Sequence, residues 1–462
     1  MVDVTSHRQT ATIPVNRNGS KLVGANPTGL ALSQDGKRLY VTNSGHNEVA
    51  VINVATRKVI GDIPTGWYPT QVLAHDGKLS ITSAKGLGAG PNNGPNHPNP
   101  TDPHDTAENQ YSGSLIKGLL STVSEPDAAT LAKLTATVEK NNTANDPARS
   151  SAVPNQIGTT SSKIKHVIYI VRENRTFDQE LGSNGRGNAD PSLNLFGEES
   201  APNTRALARQ FTTFDNFYAD AEVSANGWNW VSQANSNPWS EEMWPSNYSG
   251  RGAPYPAENN DPESRAKKHD SYFWEHLSKN NISFRNFGFY TTLDKKGKAH
   301  GVDKKILDPN TDHDFIGWTL DCPDSARSFA PMAKNCGPKS RVDEWKSDFN
   351  KQLAKGSVPT VQLVRFGNDY TQATKVGVPT PQAYVADNDQ AIGQLVETVS
   401  HSPSGRTPRS SSLRTMPRTV PTTSTRTAPS ARSSAHIPAL VGSIPPFTRQ
   451  YQCCTQWRAF SV

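Results

Sequence analysis

Glu173-Asn174-Arg175-Thr176-Phe177-Asp178 is the segment of this chain best suited to chemistry. A carboxylate beside a carboxamide oxygen offers two hard donors of the kind that hold a divalent cation. A plainer role is open too, because Asn174 or Thr176 could simply cap a helix beginning just after them. Cys322 and Cys336 share a loop-like stretch, DCPDSARSFAPMAKNCG, at a separation that a disulfide could close; two unpaired thiols are the alternative. Cys453 and Cys454 are adjacent and lack the spacing of a zinc knuckle. His313 sits in Asp312-His313-Asp314 and could be a ligand, although such triplets are more often solvated loop.

The element that must position Glu173 and Asn174 precedes them. Ile164-Lys165-His166-Val167-Ile168-Tyr169-Ile170-Val171 is short, β-branched and almost continuously apolar, which predicts a central parallel strand buried on both faces. In open α/β sheets ligands gather at the carboxyl ends of strands, where these two residues fall. The 462 residues suffice for two or three domains, but a hydrophobic fraction of 34% and a mean hydropathy of −0.65 imply that part of the chain does not pack. No run approaches the roughly 18 apolar residues of a membrane span. The opening MVDVTSHRQT has no apolar signal core, so no export address is expected in it.

The net charge of +6 is unevenly spread. Residues 404–462 hold eight Arg and no Lys, Asp or Glu, and removing those eight charges leaves the first 403 residues at −2. A basic face for nucleic acid on the folded part is therefore not expected.

The first 90 residues contain a repeat. Asn26-Pro27-Thr28-Gly29 is answered by Tyr68-Pro69-Thr70-Gln71, and Asp35-Gly36-Lys37 by Asp76-Gly77-Lys78, at shifts of 42 and 41. Between them, 38–43 and 48–53 alternate as strands around a Ser-Gly-His-Asn turn. A period near 40 with about four short strands per unit is a propeller-blade pattern. The segment LYVTN followed by VAVINVATRKVIGDIPTG resembles the YVTN family of β-propeller repeats. About one and a half blades are expected in residues 1–90, and Val2-Asp3-Val4 reads as strand. Residues 91–160 read as linker with one helix over Asp127–Asn141, where Leu131, Leu134 and Val138 recur behind Ser124 and Asp127 as capping candidates.

From 161 to 403 the chain resembles the phosphoesterase family that includes bacterial phospholipases C and acid phosphatases, within the alkaline-phosphatase-like superfamily. The resemblance rests on KHVIYIVRENRTFDQELG, FDNFYADAEVSANGWNW, MWPSNYSGRG, SFRNFGFY, VRFGNDYT and PTPQAYVADNDQAIGQLVETVSHSP, in that order. It implies a three-layer α/β domain with a mostly parallel sheet, Glu173 and Asn174 as metal ligands, and Ser224 as nucleophile and ligand at the start of a helix. On its residues alone, Ser224 reads as an ordinary helix cap. Two departures matter: many relatives have Asp-Gly-His where this chain has Asn226-Gly227-Trp228, and Asn-Asp-His-Thr where it has Asn368-Asp369-Tyr370-Thr371. Asp369 remains a candidate ligand, whereas Trp228 and Tyr370 read as packing residues. The implied substrate is a phosphate ester, a small monoester or a phospholipid head group, and the implied setting of the parent is periplasmic or secreted.

After Pro403 the pattern stops. The Ser/Thr/Arg/Pro mixture that follows cannot bury enough apolar surface to order itself. Codons permitted for residues 404–462, read one nucleotide over, can spell a strand (TAIFVT) followed by Glu-Asp-Asp, Asp-His and Asp-Ala-His-Arg. Those are the acid and imidazole groups a metal phosphoesterase uses, in the family's order, so a miscoded tail is expected, with activity impaired by the lost ligands. The competing expectation is a catalytically dead fragment that acts only as a binding module.

Overall fold

The computed structural model describes residues 1–15, 24–87, 116, 118–142, 165–173, 175–215, 221–248, 252–262, 264, 272–320, 322–325 and 336–402. Asn174, most of both linker stretches and the whole of residues 403–462 lie outside that set, so the expectations for them lie outside the described residues. The chain divides into two compact units, one within Met1–Ser150 and one beginning at Ser151.

In the first unit a short hairpin, β1 (Val2–Asp3) and β2 (Arg8–Gln9), precedes an antiparallel four-stranded sheet of β3 (Pro27–Leu32), β4 (Arg38–Asn43), β5 (Glu48–Asn53) and β6 (Lys58–Pro64), in sequential order. A second antiparallel sheet joins β7 (Trp67–His75), β8 (Lys78–Gly86) and β9 (Leu119–Ser124). The period-2 pattern explains the burial. Tyr40, Val49 and Val51 face a core completed by Val72, Leu79 and Ile81 of the second sheet, while Val41, Ala50 and Ile52 point the other way. The two repeat motifs touch, since Thr28 Oγ1 donates to the carbonyl of Pro69 at 3.0 Å. Asp76 and Gly77 both take positive φ in the β7–β8 turn, which suits a tight hairpin.

Neither sheet closes into a barrel or propeller among the described residues. The second sheet draws its third strand from Leu119–Ser124, inside the stretch that the sequence reads as linker. Helix α1 (Ala128–Asn142) also belongs to this unit, packing Leu131 into the shared core. Asp127 Oδ1 accepts the Thr130 N–H at 2.7 Å and so caps it, whereas Ser124 is spent in β9.

The second unit is built on a parallel three-stranded sheet of β10 (Val167–Val171), β11 (Phe284–Phe287) and β14 (Val361–Arg365), with β14 in the middle. Helices α2 (Phe177–Leu181), α3 (Pro202–Gln210), α4 (Ser224–Gln233), α5 (Pro238–Tyr248) and α6 (Phe273–Lys279) lie between β10 and β11 in the chain. A small hairpin, β12 (Thr291–Leu293) and β13 (Ala299–Gly301), and α7 (Arg341–Ala354) precede β14; α8 (Pro381–Ser400) follows it. Alternate strand residues face opposite ways. Tyr169, Val171, Phe284 and Leu363 join Trp228, Tyr272 and Trp274 on one side, while Ile168, Ile170, Phe287 and Val364 meet Trp345, Ile392 and Leu395 on the other. The sheet is thus covered on both faces, as continuous apolar strands require. No helix among the described residues is long and apolar enough to cross a membrane.

Candidate functional site at the carboxyl end of the parallel sheet

Strand β10 ends at Val171, directly before Arg172 and Glu173, and β14 ends at Arg365, four residues before Asp369, and their parallel pairing sets Val171 opposite Arg365. The backbone N–H of Glu173, just past β10, donates to Asp369 Oδ2 at 2.6 Å, just past β14. Both side chains are buried, at 3% and 0% exposure. The parallel register therefore joins two residues 196 positions apart at one point.

Each carboxylate is differently satisfied. Glu173 Oε1 accepts from Arg365 Nη2 at 2.9 Å, and Oε2 accepts the indole N–H of Trp228 at 3.3 Å. Burial pushes its carboxyl above the usual range, against the pull of the Arg365 guanidinium. Among the described residues Asp369 has only one oxygen engaged; Oδ1 is buried and accepts no hydrogen bond from them. Burial, set against the Arg172 charge and reinforced by Glu173, pushes the Asp369 carboxyl up to about 7.

Arg365 holds the other side of the site. Its guanidinium lies between the rings of Trp228 and Trp318, at 3.9 and 4.3 Å from their centroids, and also donates to Glu258 Oε1 at 2.6 Å. Burial opposes its charge, but Glu258 and Glu173 outweigh that and leave its pKa raised. Arg172 Nε lies 3.7 Å from Asp369 Oδ2, and the guanidinium is held by a two-pronged pair with Glu180 at 2.9 and 3.0 Å and a bond to Asn388 Oδ1. Behind them, Asp324 accepts from Arg341, from the Asn368 N–H and from Asn388. Asp387 accepts from Asn368 Nδ2 and from the Asp324 N–H, tying α8 to the loop after β14.

Thr371, two residues beyond Asp369, has φ 62° and ψ 174°. That is a strained setting for a β-branched residue and of a kind that clusters at functional loops. Its hydroxyl accepts from Arg175 Nη2 at 3.0 Å.

Ser224 is the first residue of α4 and is buried. Asn226 builds this helix start: its Oδ1 accepts the Val223 N–H, and its Nδ2 donates to Glu222 and Glu241. The Tyr248 phenol from α5 hydrogen-bonds with the Ser224 hydroxyl and the Ala225 N–H; burial raises its pKa, with Tyr370 and Glu173 adding to the effect. Trp228, one turn along, reaches Glu173, so α4 is bound to the strand end. Asn174 lies outside the described residues.

Cys322 and Cys336 are joined in a disulfide with Cα atoms 5.2 Å apart. Tyr370 is partly exposed and stacks edge-on with Trp318, while Trp228 both packs and hydrogen-bonds. The sequence alone does not single out Arg365, Trp318, Glu258 or Tyr248. The available signal is the Val-Arg pair that recurs in the sequence at 171–172 and 364–365, near the ends of two apolar strands.

Hard oxygen donors at one buried point suit a divalent cation, and the orphaned Oδ1 of Asp369 is the feature that fits it best. Glu173 would have to be released by Arg365 to contribute. Elsewhere in this unit His300, Asp308 and His313, and separately Asp312, Asp314 and Glu344, bring possible ligand atoms within 4.8 Å of one another.

The fold class so defined is a mixed one, with a parallel α/β unit and an antiparallel β unit. No protein-family model matches the chain, and no curated protein matches it. Among solved structures it is similar to Kuenenia stuttgartiensis hydrazine synthase, at 21% identity over 18% of this chain and 22% of that one, with a TM-score of 0.16. A likeness of that size carries no argument about fold or function.

Proposed function

We propose that the second unit is a metal-dependent phosphoester hydrolase of the alkaline-phosphatase-like class, with Ser224 as its nucleophile. The observation that carries this reading is the buried Glu173–Asp369 pair at the strand ends, with α4 and its leading serine bound to it through Trp228. Glu173, Asn174, Ser224 and Asp369 would hold the divalent ion. Such an ion lowers the pKa of a neighbouring hydroxyl and neutralises phosphate charge.

The remaining chemistry falls to the chain itself. The N-terminus of α4 favours phosphate oxygens through the positive end of its dipole. Ser224 Oγ forms the new bond to phosphorus as the P–O bond to the alcohol breaks, and the serine proton ends on the departing alcohol. Water then hydrolyses the phosphoseryl ester to free phosphate. The substrate is a small phosphomonoester or a phospholipid head group. The Cys322–Cys336 disulfide supports an oxidising, periplasmic or secreted setting.

A second reading has its own support: a catalytically dead fragment that only binds. Both oxygens of Glu173 are taken by Arg365 and Trp228, and residues 404–462 carry no carboxylate to complete a ligand cage. Hydrolysis of p-nitrophenyl phosphate with added divalent metals separates the two. Turnover abolished in Ser224→Ala is expected on the first reading. Turnover unchanged by that substitution removes Ser224 from its role, and no turnover at all favours the second.

A further inference from the structure

The β12–β13 hairpin and the turn that follows it bring together two imidazoles and a carboxylate that the site above does not use. His300 lies on β13, Asp308 opens the next turn, and His313 follows five residues later. The two rings are 4.5 Å apart between centroids, and one ligand atom from each residue lies within 4.8 Å of the others. We propose that His300, Asp308 and His313 form a site for a borderline divalent transition metal such as zinc.

Three features of geometry favour coordination over a simple ion pair. His313 Nδ1 lies 2.6 Å from the carbonyl of Ala299, a contact that puts the proton on Nδ1 and leaves Nε2 as the nitrogen with a free lone pair in the neutral ring. His300 Nδ1 is 3.2 Å from Asp308 Oδ1. Two ligands at zinc bond lengths of about 2.0–2.1 Å in a tetrahedron stand roughly 3.3 Å apart, so this pair is already at bite distance. His300 Nε2 faces Asp294 Oδ2 at 3.6 Å, which gives the outer nitrogen its own carboxylate. Each imidazole thus has an acceptor held against one of its nitrogens, the kind of contact that fixes tautomer and ring orientation in metal sites.

The scaffold is built to hold these positions. Asp308 Oδ1 also accepts the Gly301 N–H at 2.8 Å, and a Cβ on Gly301 would stand 2.7 Å from the Asp308 nitrogen, so only glycine lets the turn approach. The Ala299 N–H donates to the His313 carbonyl at 2.9 Å, closing a reciprocal pair between β13 and the turn. Lys304 and Lys298 nearby are matched by Asp308 and Asp314. Two imidazoles and one carboxylate leave a fourth position for water, and imidazole donors select zinc-like ions over magnesium or calcium.

Cobalt(II), added alone to the full chain, reports the site by the visible absorption of low-symmetry cobalt bound to imidazole. One equivalent should give saturable bands that disappear in His313→Ala and in Asp308→Asn but persist in Asp369→Asn. His313 is exposed, so its loss should leave the fold intact, with circular dichroism as the control. Absence of saturable bands in the parent chain, or bands indifferent to His313→Ala, would overturn the proposal.

Discussion

The two units bury different things. Among the described residues, the first hides two acidic or basic side chains, Glu48 and Asp62, whereas the second hides seventeen. The first is held by ordinary sheet packing and leaves Leu30, Leu32, Leu73 and Leu120 largely in solvent. The second places buried charge at one end of its parallel sheet, where desolvation is expensive and must be compensated by pairing. Stability explains the first pattern and not the second. Buried ionisable groups with shifted pKa values at strand ends make that end the candidate site.

The sharpest way to break that contrast is Arg365→Ala. It leaves the buried Glu173 and the half-buried Glu258 without their shared cation, so the second unit should lose about 3–5 kcal/mol. Hydrogen exchange should show faster opening of β10 and β14, with β4 and β5 unmoved; equal loosening of both units would refute the assignment. Leu131→Ala is the mirror experiment. A cavity beneath α1 should cost the first unit about 2–4 kcal/mol and leave the second unchanged by the same readout.

Asp369 gives a pH signature. Its folded pKa of about 7 exceeds the ordinary carboxylate value, so the folded state binds more protons than the unfolded chain between about pH 4 and 7. Stability contributed by this group is therefore present at acid pH and lost as pH rises through 7. Asp369→Asn should flatten that decline and be more stable than the parent at pH 8 by about 1–3 kcal/mol, as measured by denaturant unfolding. The smallest expected effect is at Ala373, whose φ of 48° suits glycine. Ala373→Gly should raise the stability of the second unit by about 0.5–1 kcal/mol, and a loss would show that the strain argument fails there.

Much of the fold is legible in the sequence. The alternation of 38–43 and 48–53 specifies strands because period 2 sorts side chains to opposite faces. Val167–Val171 reads as a central strand because neither face can be left wet. What cannot be read locally is long-range. β9 pairs with β8 across a stretch of more than thirty residues, and nothing in Leu119–Ser124 names its partner. The meeting of Glu173 with Asp369 depends on β14 lying beside β10. Arg365 is invisible as a site residue in the sequence because its role comes from two tryptophans and two carboxylates drawn from separate segments.

Asp369 and Glu173 are the pair whose ability to form a cation pocket is most directly testable. Calorimetric titration of manganese(II) into the His313→Ala chain tests that pocket with the other candidate site disabled. Saturable binding that strengthens as pH rises through about 7 and vanishes on adding Asp369→Asn is the predicted result. Identical isotherms with and without Asp369 would contradict it.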